Sequence, residues 1–229
     1  MTKRMILLLL LITAGGLVFG GDVANFVNLG FSDNSQYFMF GQYGIQENNA
    51  SPYAEIYTVD VKGNSFTKQG VKKAVYPVSI EAGQNGLGAL LTLLEHSTSV
   101  VNMYSINHMK TGRILYILLN GEEPKSFLKF RDFSTNTSYS IQLVQAEYAI
   151  SEEVSASFHI DVTVTDSRGL NKNIIVGRPD YRRQGVKSYK IRQIFLSPNE
   201  NSLVFLVEKE QMSDNGIDIR YMVETVSMK

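Results

Sequence analysis

"FVNLGFSDNSQYFMFGQYG", Phe26 to Gly44, is the stretch on which the fold turns. From Asn25 onward the apolar, aromatic and β-branched residues recur with period two. A half-buried strand needs that period, because alternate side chains share one face of a sheet. In "SQYFMFG", residues 35–41, the apolar run is nearly continuous, which suits a strand covered on both faces. Between the two halves sit Asp33, Asn34 and Ser35, whose side chains hydrogen-bond their own backbone in turns. The stretch therefore reads as a β-hairpin.

A degenerate copy lies near the other end of the chain. Laying "FSDNSQYFMF" (31–40) over "LSPNENSLVF" (196–205) without gaps pairs Ser32 with Ser197, Asn34 with Asn199, Phe38 with Leu203 and Phe40 with Phe205. After a one-residue slip, Tyr57, Val59 and Asp60 meet Tyr221, Val223 and Glu224. Each copy is strand, Ser-led turn, apolar strand, loop, strand. Such a unit cannot bury its own apolar face and needs neighbours.

Working outward, "YAEIYTVDV" (53–61) reads as a strand ending at the turn Lys62-Gly63-Asn64. The period then changes. "GLGALLTLLEHSTSVVNMYSI" places Leu87, Leu90, Leu91, Leu94, Thr98 and Val101 at helical spacing, which predicts one helix from about Gly86 to Met103. Strands resume at 113–119, 126–133 and 138–145, followed by a long hairpin turning at Asp166 to Gly169 and by three strands in the last third. The expected fold is mainly β, a propeller-like or sandwich arrangement of antiparallel hairpins with one inserted helix. No Pro-rich or Ser-rich linker interrupts residues 21–229, so they read as a single β-rich domain.

The hairpins "FSDNSQYFMF" and "LSPNENSLVF" resemble the Ser-Pro-Asp-Gly hairpins of TolB and WD40-like propeller blades. Taken together, "NLGFS", "YAEIYTVDV", "VGRP", "YKIRQIFLSPNENSLVFLVE" and "RYMVET" resemble a family of predicted secreted bacterial proteins defined only as a domain of unknown function. The likeness covers nearly all of residues 21–229. It implies an extracytoplasmic location and no known activity.

The N-terminus agrees with that location. "MTKR" supplies two positive charges and Met5 to Phe19 supplies a short apolar run, the layout of a signal peptide. The run falls short of the roughly 20 residues that a membrane-spanning helix needs, so cleavage is expected over anchoring, after Gly20 in "VFGGD". The chain has no cysteine, which excludes both a lipoprotein anchor and disulfides. Lysine and arginine balance aspartate and glutamate, and loss of Lys3 and Arg4 tips the remainder slightly negative, against a general nucleic-acid binder. An outer-membrane barrel is disfavoured by the central helix and by the C-terminal "VSMK", which lacks an aromatic last residue.

No catalytic residue can be assigned from this sequence. No G-x-S-x-G elbow occurs, and Ser32 and Ser197 are explained as turn residues. His96, His108 and His159 stand far apart, and "SDNGID" (213–218) lacks the regular acidic ligands of a calcium loop, so no metal site and no cofactor are expected. "GQNGLG" (83–88) precedes a helix but has no following Lys-Ser/Thr, and reads as a loop. The most informative polar stretch is "GRPDYRRQGVKSYKIRQ" (177–193). It gathers Arg178, Arg182, Arg183, Lys187, Lys190 and Arg192 around Tyr181 and Tyr189, with Asp180 as its one acid. Arginine holds carboxylate or phosphate bidentately and tyrosine flanks a ligand with an amphipathic ring. The candidate binding residues are therefore Arg178, Tyr181, Arg182, Arg183, Lys187 and Tyr189, for an anionic envelope polymer or an envelope protein. The plainer alternative is a solvated strand edge whose cations pair loosely with Glu147, Glu152 or Glu153. These residues point to a non-catalytic binding or scaffold protein of the cell envelope, periplasmic or secreted. The competing class is an extracytoplasmic hydrolase using scattered carboxylates.

Overall fold

A computed structural model describes residues 21–81, 83–150, 153–214 and 216–228. The expected signal peptide, residues 1–20, lies outside the described residues. The elements are β1 (Asn25–Ser32), β2 (Tyr37–Ile45), β3 (Pro52–Asp60), β4 (Ser65–Val75), α1 (Leu87–His96), α2 (Thr98–Met103), β5 (Ile106–Asn107), β6 (Arg113–Ile117), β7 (Phe127–Asp132), β8 (Thr137–Ile150), β9 (Glu153–Thr165), β10 (Asn171–Gln184), β11 (Val186–Leu196), β12 (Ser202–Ser213) and β13 (Gly216–Ser227). They form three sheets. The first has the order β4-β3-β2-β1-β5, the second β10-β9-β8-β7 and the third β13-β12-β11-β6. Every pair of neighbouring strands is antiparallel.

The third sheet lies between the other two, and alternation along its strands shows why. Phe195, Val204, Leu206 and Val223 pack against Phe31, Phe38, Phe40 and Val59 of the first sheet. Their neighbours Ile194, Leu196, Leu203, Phe205 and Val207 pack the opposite way, against Tyr139, Ile141, Phe158 and Ile160 of the second. A strand buried on both faces loses its polar alternation, which accounts for the unbroken "SLVFLV". The first hairpin behaves similarly. Phe38 and Phe40 face the third sheet, while Met39 between them packs with Leu90, Leu93 and Val100 of the helices on the far side.

The two matching turns are built alike and touch. Ser32 Oγ donates to Asn34 Oδ1 and accepts from Tyr37 N–H, and Ser35 N–H closes on Ser32 C=O. Ser197 Oγ likewise donates to Asn199 Oδ1 and accepts from Ser202 N–H, and Glu200 N–H closes on Ser197 C=O. Ser35 and Glu200 both take positive φ, 60° and 57°. Asn199 Nδ2 then donates to Asn34 C=O, 3.3 Å away, so the two matching hairpins lie side by side.

Two expectations need correction. The single helix is two, broken at Ser97, whose hydroxyl bonds back to Leu93 C=O while Thr98 Oγ1 bonds Glu95 C=O. Such back-bonding competes with the helical ladder and bends it. The buried stripe is also rotated from the expected one. Ala89, Leu90, Leu93 and Val100 are buried, whereas Leu87 and Leu91 are exposed. Close approach sets this rotation: Leu90 sits over Gly41, and Gly86 lies so near Gly44 C=O that a Cβ there would meet it at 2.5 Å. Gly86 of "GLG" thus serves helix-on-sheet packing. Strand β4 went unread because its lysine-rich sequence hides the alternation, as suits the edge of a sheet.

Candidate functional site

All three sheets meet along β13, the outer strand of the third sheet. Its backbone is capped by side chains of the first sheet. Tyr221 N–H donates to Gln42 Oε1 and Thr225 N–H to Asn64 Oδ1, while Thr225 Oγ1 donates to Val61 C=O. Beside this seam runs a cleft with two adjoining parts, about 290 and 650 Å³, which share Phe66, Tyr181, Arg183 and Met222.

The second sheet enters the cleft through an irregularity in β10. Arg178 pairs with Phe158 and Arg183 with Ala156, so residues 179–182 bulge opposite Ser157 alone. Pro179 can give no N–H to a ladder, and Gly177 takes φ +89°, so the sequence itself disfavours continuous pairing here. A bulge re-aims the side chains around it. Arg178, Tyr181 and Arg183 come to line the cleft. The other candidates do not join them. Arg182 lies over the Tyr148 ring at 3.7 Å, and Lys187 is exposed at the start of β11. Tyr189 is a core residue, 1% exposed, with its hydroxyl donating to Ala156 C=O. Of the acids expected to pair with these cations, Glu152 lies outside the described residues, and no ion pair among the described residues involves Glu147 or Glu153. Lys190 pairs with Glu208 and Glu210, Arg192 with Glu208, and Arg183 reaches Glu224 at 3.7 Å. Glu208 and Glu210 are neighbours on β12 that the antiparallel register brings close to Lys190 and Arg192, while Glu224 on β13 reaches Arg183 from the adjoining sheet.

The remaining cleft residues come from elsewhere in the chain. Lys209 lies opposite Arg220 across β12 and β13. Arg220 donates to Asp22 at 2.7 Å and to Asp218 at 3.3 Å, and stacks on the Tyr53 ring. Glu55 on β3 accepts from Lys73 at 2.8 Å, Gln42 at 2.6 Å and Tyr57 at 2.5 Å. Burial pushes its carboxyl up, but these three hydrogen bonds outweigh burial and hold it below the usual range. Burial and the bond to Glu55 push Tyr57 up to about 12. Burial raises Glu224 despite the hydrogen bond from Asn64 Nδ2 and the nearby Arg183 and Arg178. Lys209 is lowered, mainly by burial. Glu55 opposes that shift, while Arg220, Lys73 and Arg183 add to it.

The cleft is thus cationic and aromatic. Glu55 has both oxygens engaged, and Glu224 accepts from Asn64 and lies 3.7 Å from Arg183. Among the described residues no group of three or more His, Cys, Asp or Glu is placed to hold a metal, and no helix is long and apolar enough to cross a membrane. Sequence reading missed Lys209 and Arg220. Lys209 had a signal, since it continues the inward-facing series Leu203, Phe205, Val207 on β12, where a cation is out of pattern.

A search of the curated proteins returns no match. A family model described as "Predicted secreted protein (DUF2259)" matches residues 39–227, from β2 to the end of β13, and on that match the chain belongs to this family of predicted secreted proteins of unknown function.

Proposed function

We propose that this chain is an exported, non-catalytic binding or scaffold component of the bacterial cell envelope. In this reading residues 1–20 are a signal peptide, and residues 21–229 form one β-rich domain held in the periplasm or released without a lipid anchor. The matching Ser-led hairpins are blade-type modules retained as structural units. The cleft along β13 docks an anionic envelope polymer or an acidic envelope protein. The observation that carries the reading is the delivery of Arg178, Tyr181 and Arg183, by the β10 bulge, into a cleft shared by three sheets. Clefts between packed elements with a few convergent polar groups are the usual form of binding sites.

The test is recovery of envelope components by the tagged protein in a low-salt wash. Arg178→Ala with Arg183→Ala should abolish recovery, while Arg182→Ala with Lys187→Ala, both outside the cleft, should leave it intact. Equal recovery by wild type and the cleft variant contradicts the reading. The rival reading, a hydrolase built on Glu55 and Glu224, requires one of these carboxylates to be free for acid–base work. Hydrolysis of envelope polymer by the wild type, lost in Glu224→Gln, would decide for it.

A further inference from the structure

The larger part of the cleft holds a charge that its own walls leave unmatched. Four cations line it: Lys73, Arg183, Lys209 and Arg220. Lys73 is matched by Glu55, and Arg220 by Asp22 and Asp218. Lys209 has no hydrogen-bond or ion-pair partner among the described residues. Arg183 lies over the Tyr181 and Phe158 rings at 4.9 and 5.2 Å but approaches its one carboxylate, Glu224, only at 3.7 Å, and its Nη1 has no hydrogen-bond partner among the described residues. Partly buried cations are costly unless an anion compensates them, and Lys209 and Arg183 line the same cleft. Beside them, Phe66 and Tyr181 are 55% and 52% exposed and line both parts of the cleft. Its volume, about 650 Å³, is in the range of sites for small organic ligands and far exceeds what a bare oxyanion fills.

We propose that this cleft is a specific site for an oxyanion, phosphate or carboxylate, carried on an aromatic or similarly flat apolar body. Lys209 and Arg183 take the oxyanion, because a guanidinium and an ammonium together satisfy such a group with charge-assisted hydrogen bonds. Phe66 and Tyr181 take the body, whose apolar faces they cover. The inference rests on the reading of the cleft as a binding site and names the ligand chemistry for it.

Calorimetric titration of the purified exported chain at low salt tests it, with phenyl phosphate, benzoate and inorganic phosphate as probes. At least one aryl probe should bind at least tenfold more tightly than inorganic phosphate, and comparing the two aryl probes tells phosphate from carboxylate. Lys209→Met and Arg183→Met should each weaken that binding at least tenfold, Lys209→Arg should retain most of it, and Phe66→Ala should weaken the aryl probe alone. Near-ultraviolet circular dichroism checks that each variant is folded. Phe66 lies at the surface, so its variant keeps the test decisive if a lysine variant fails to fold. Binding unaffected by Lys209→Met, or inorganic phosphate binding as tightly as both aryl probes, overturns the proposal. If no aryl probe binds while envelope recovery still depends on Arg178 and Arg183, this inference alone is lost; if neither depends on the cleft, the binding reading falls with it.

Discussion

Replacing Lys209 by methionine should make the protein more stable. The change keeps an unbranched stem of similar bulk and removes an ammonium that has no ion-pair partner among the described residues. A fully buried unpaired charge costs several kcal/mol, and water and a neighbouring carboxylate reduce that. Lys209 is only partly buried and faces Glu55 on β3 as well as Lys73 on β4, Arg183 on β10 and Arg220 on β13. The expected gain is about 1 kcal/mol, or about 2–4 °C in the unfolding midpoint for a chain of this length. The pH dependence has a definite sign. Burial lowers Lys209 in the folded state, so between that lowered value and about 10.5 the unfolded chain binds more protons and wild-type stability rises with pH. The advantage of Lys209→Met should therefore be full at pH 7 and shrink toward pH 10.5. Urea unfolding of both proteins at pH 7 and pH 10 measures the difference and cancels the titration of other lysines and tyrosines. A variant less stable than wild type at pH 7, or an advantage that grows with pH, would refute the electrostatic account of the cleft.

Other consequences are open to the same measurement. Ser197→Ala strands the buried N–H of Ser202 and should cost about 1–3 kcal/mol, with Ser32→Ala costing a similar amount through Tyr37 N–H; urea midpoints that differ sharply would undo the equivalence of the two turns. Asp132 is buried and accepts two hydrogen bonds from Arg113, one from Ser134 N–H and one from Thr135. The Arg113 hydrogen bonds hold its carboxyl well below the usual range. Its contribution is therefore present above about pH 3.9 and is lost as pH falls through the lower folded value. Asp132→Asn should cost about 2 kcal/mol at pH 7, less than a fully buried pair because Arg113 is 37% exposed, and it should flatten the acid limb of a stability-against-pH curve.

Where a side chain's role is local, the sequence displayed it. Ser32 and Ser197 were legible as turn residues because their hydrogen bonds close within five residues. The apolar run around Phe38 likewise announced a strand covered on both sides. The order of the sheets was not legible, because period two says which residues share a face and nothing about what covers it. The helix boundary failed at Ser97 because a hydroxyl bonding back to Leu93 leaves the leucine pattern almost unchanged. In the basic stretch, composition grouped Arg178, Tyr181 and Arg183 with Arg182, Lys187 and Tyr189, although the bulge and the pleat send them to different surroundings. Lys209 and Arg220 escaped notice because each stands alone in its segment, and only the β12–β13 register makes them neighbours.

The most direct test of the cleft as a binding site is the position of a bound ligand in crystals grown with 4-iodophenyl phosphate. Anomalous scattering should place iodine between Phe66 and Tyr181, with the phosphate on Lys209 and Arg183. Iodine found only at sites away from these residues, in crystals whose cleft is open to solvent, would contradict the account.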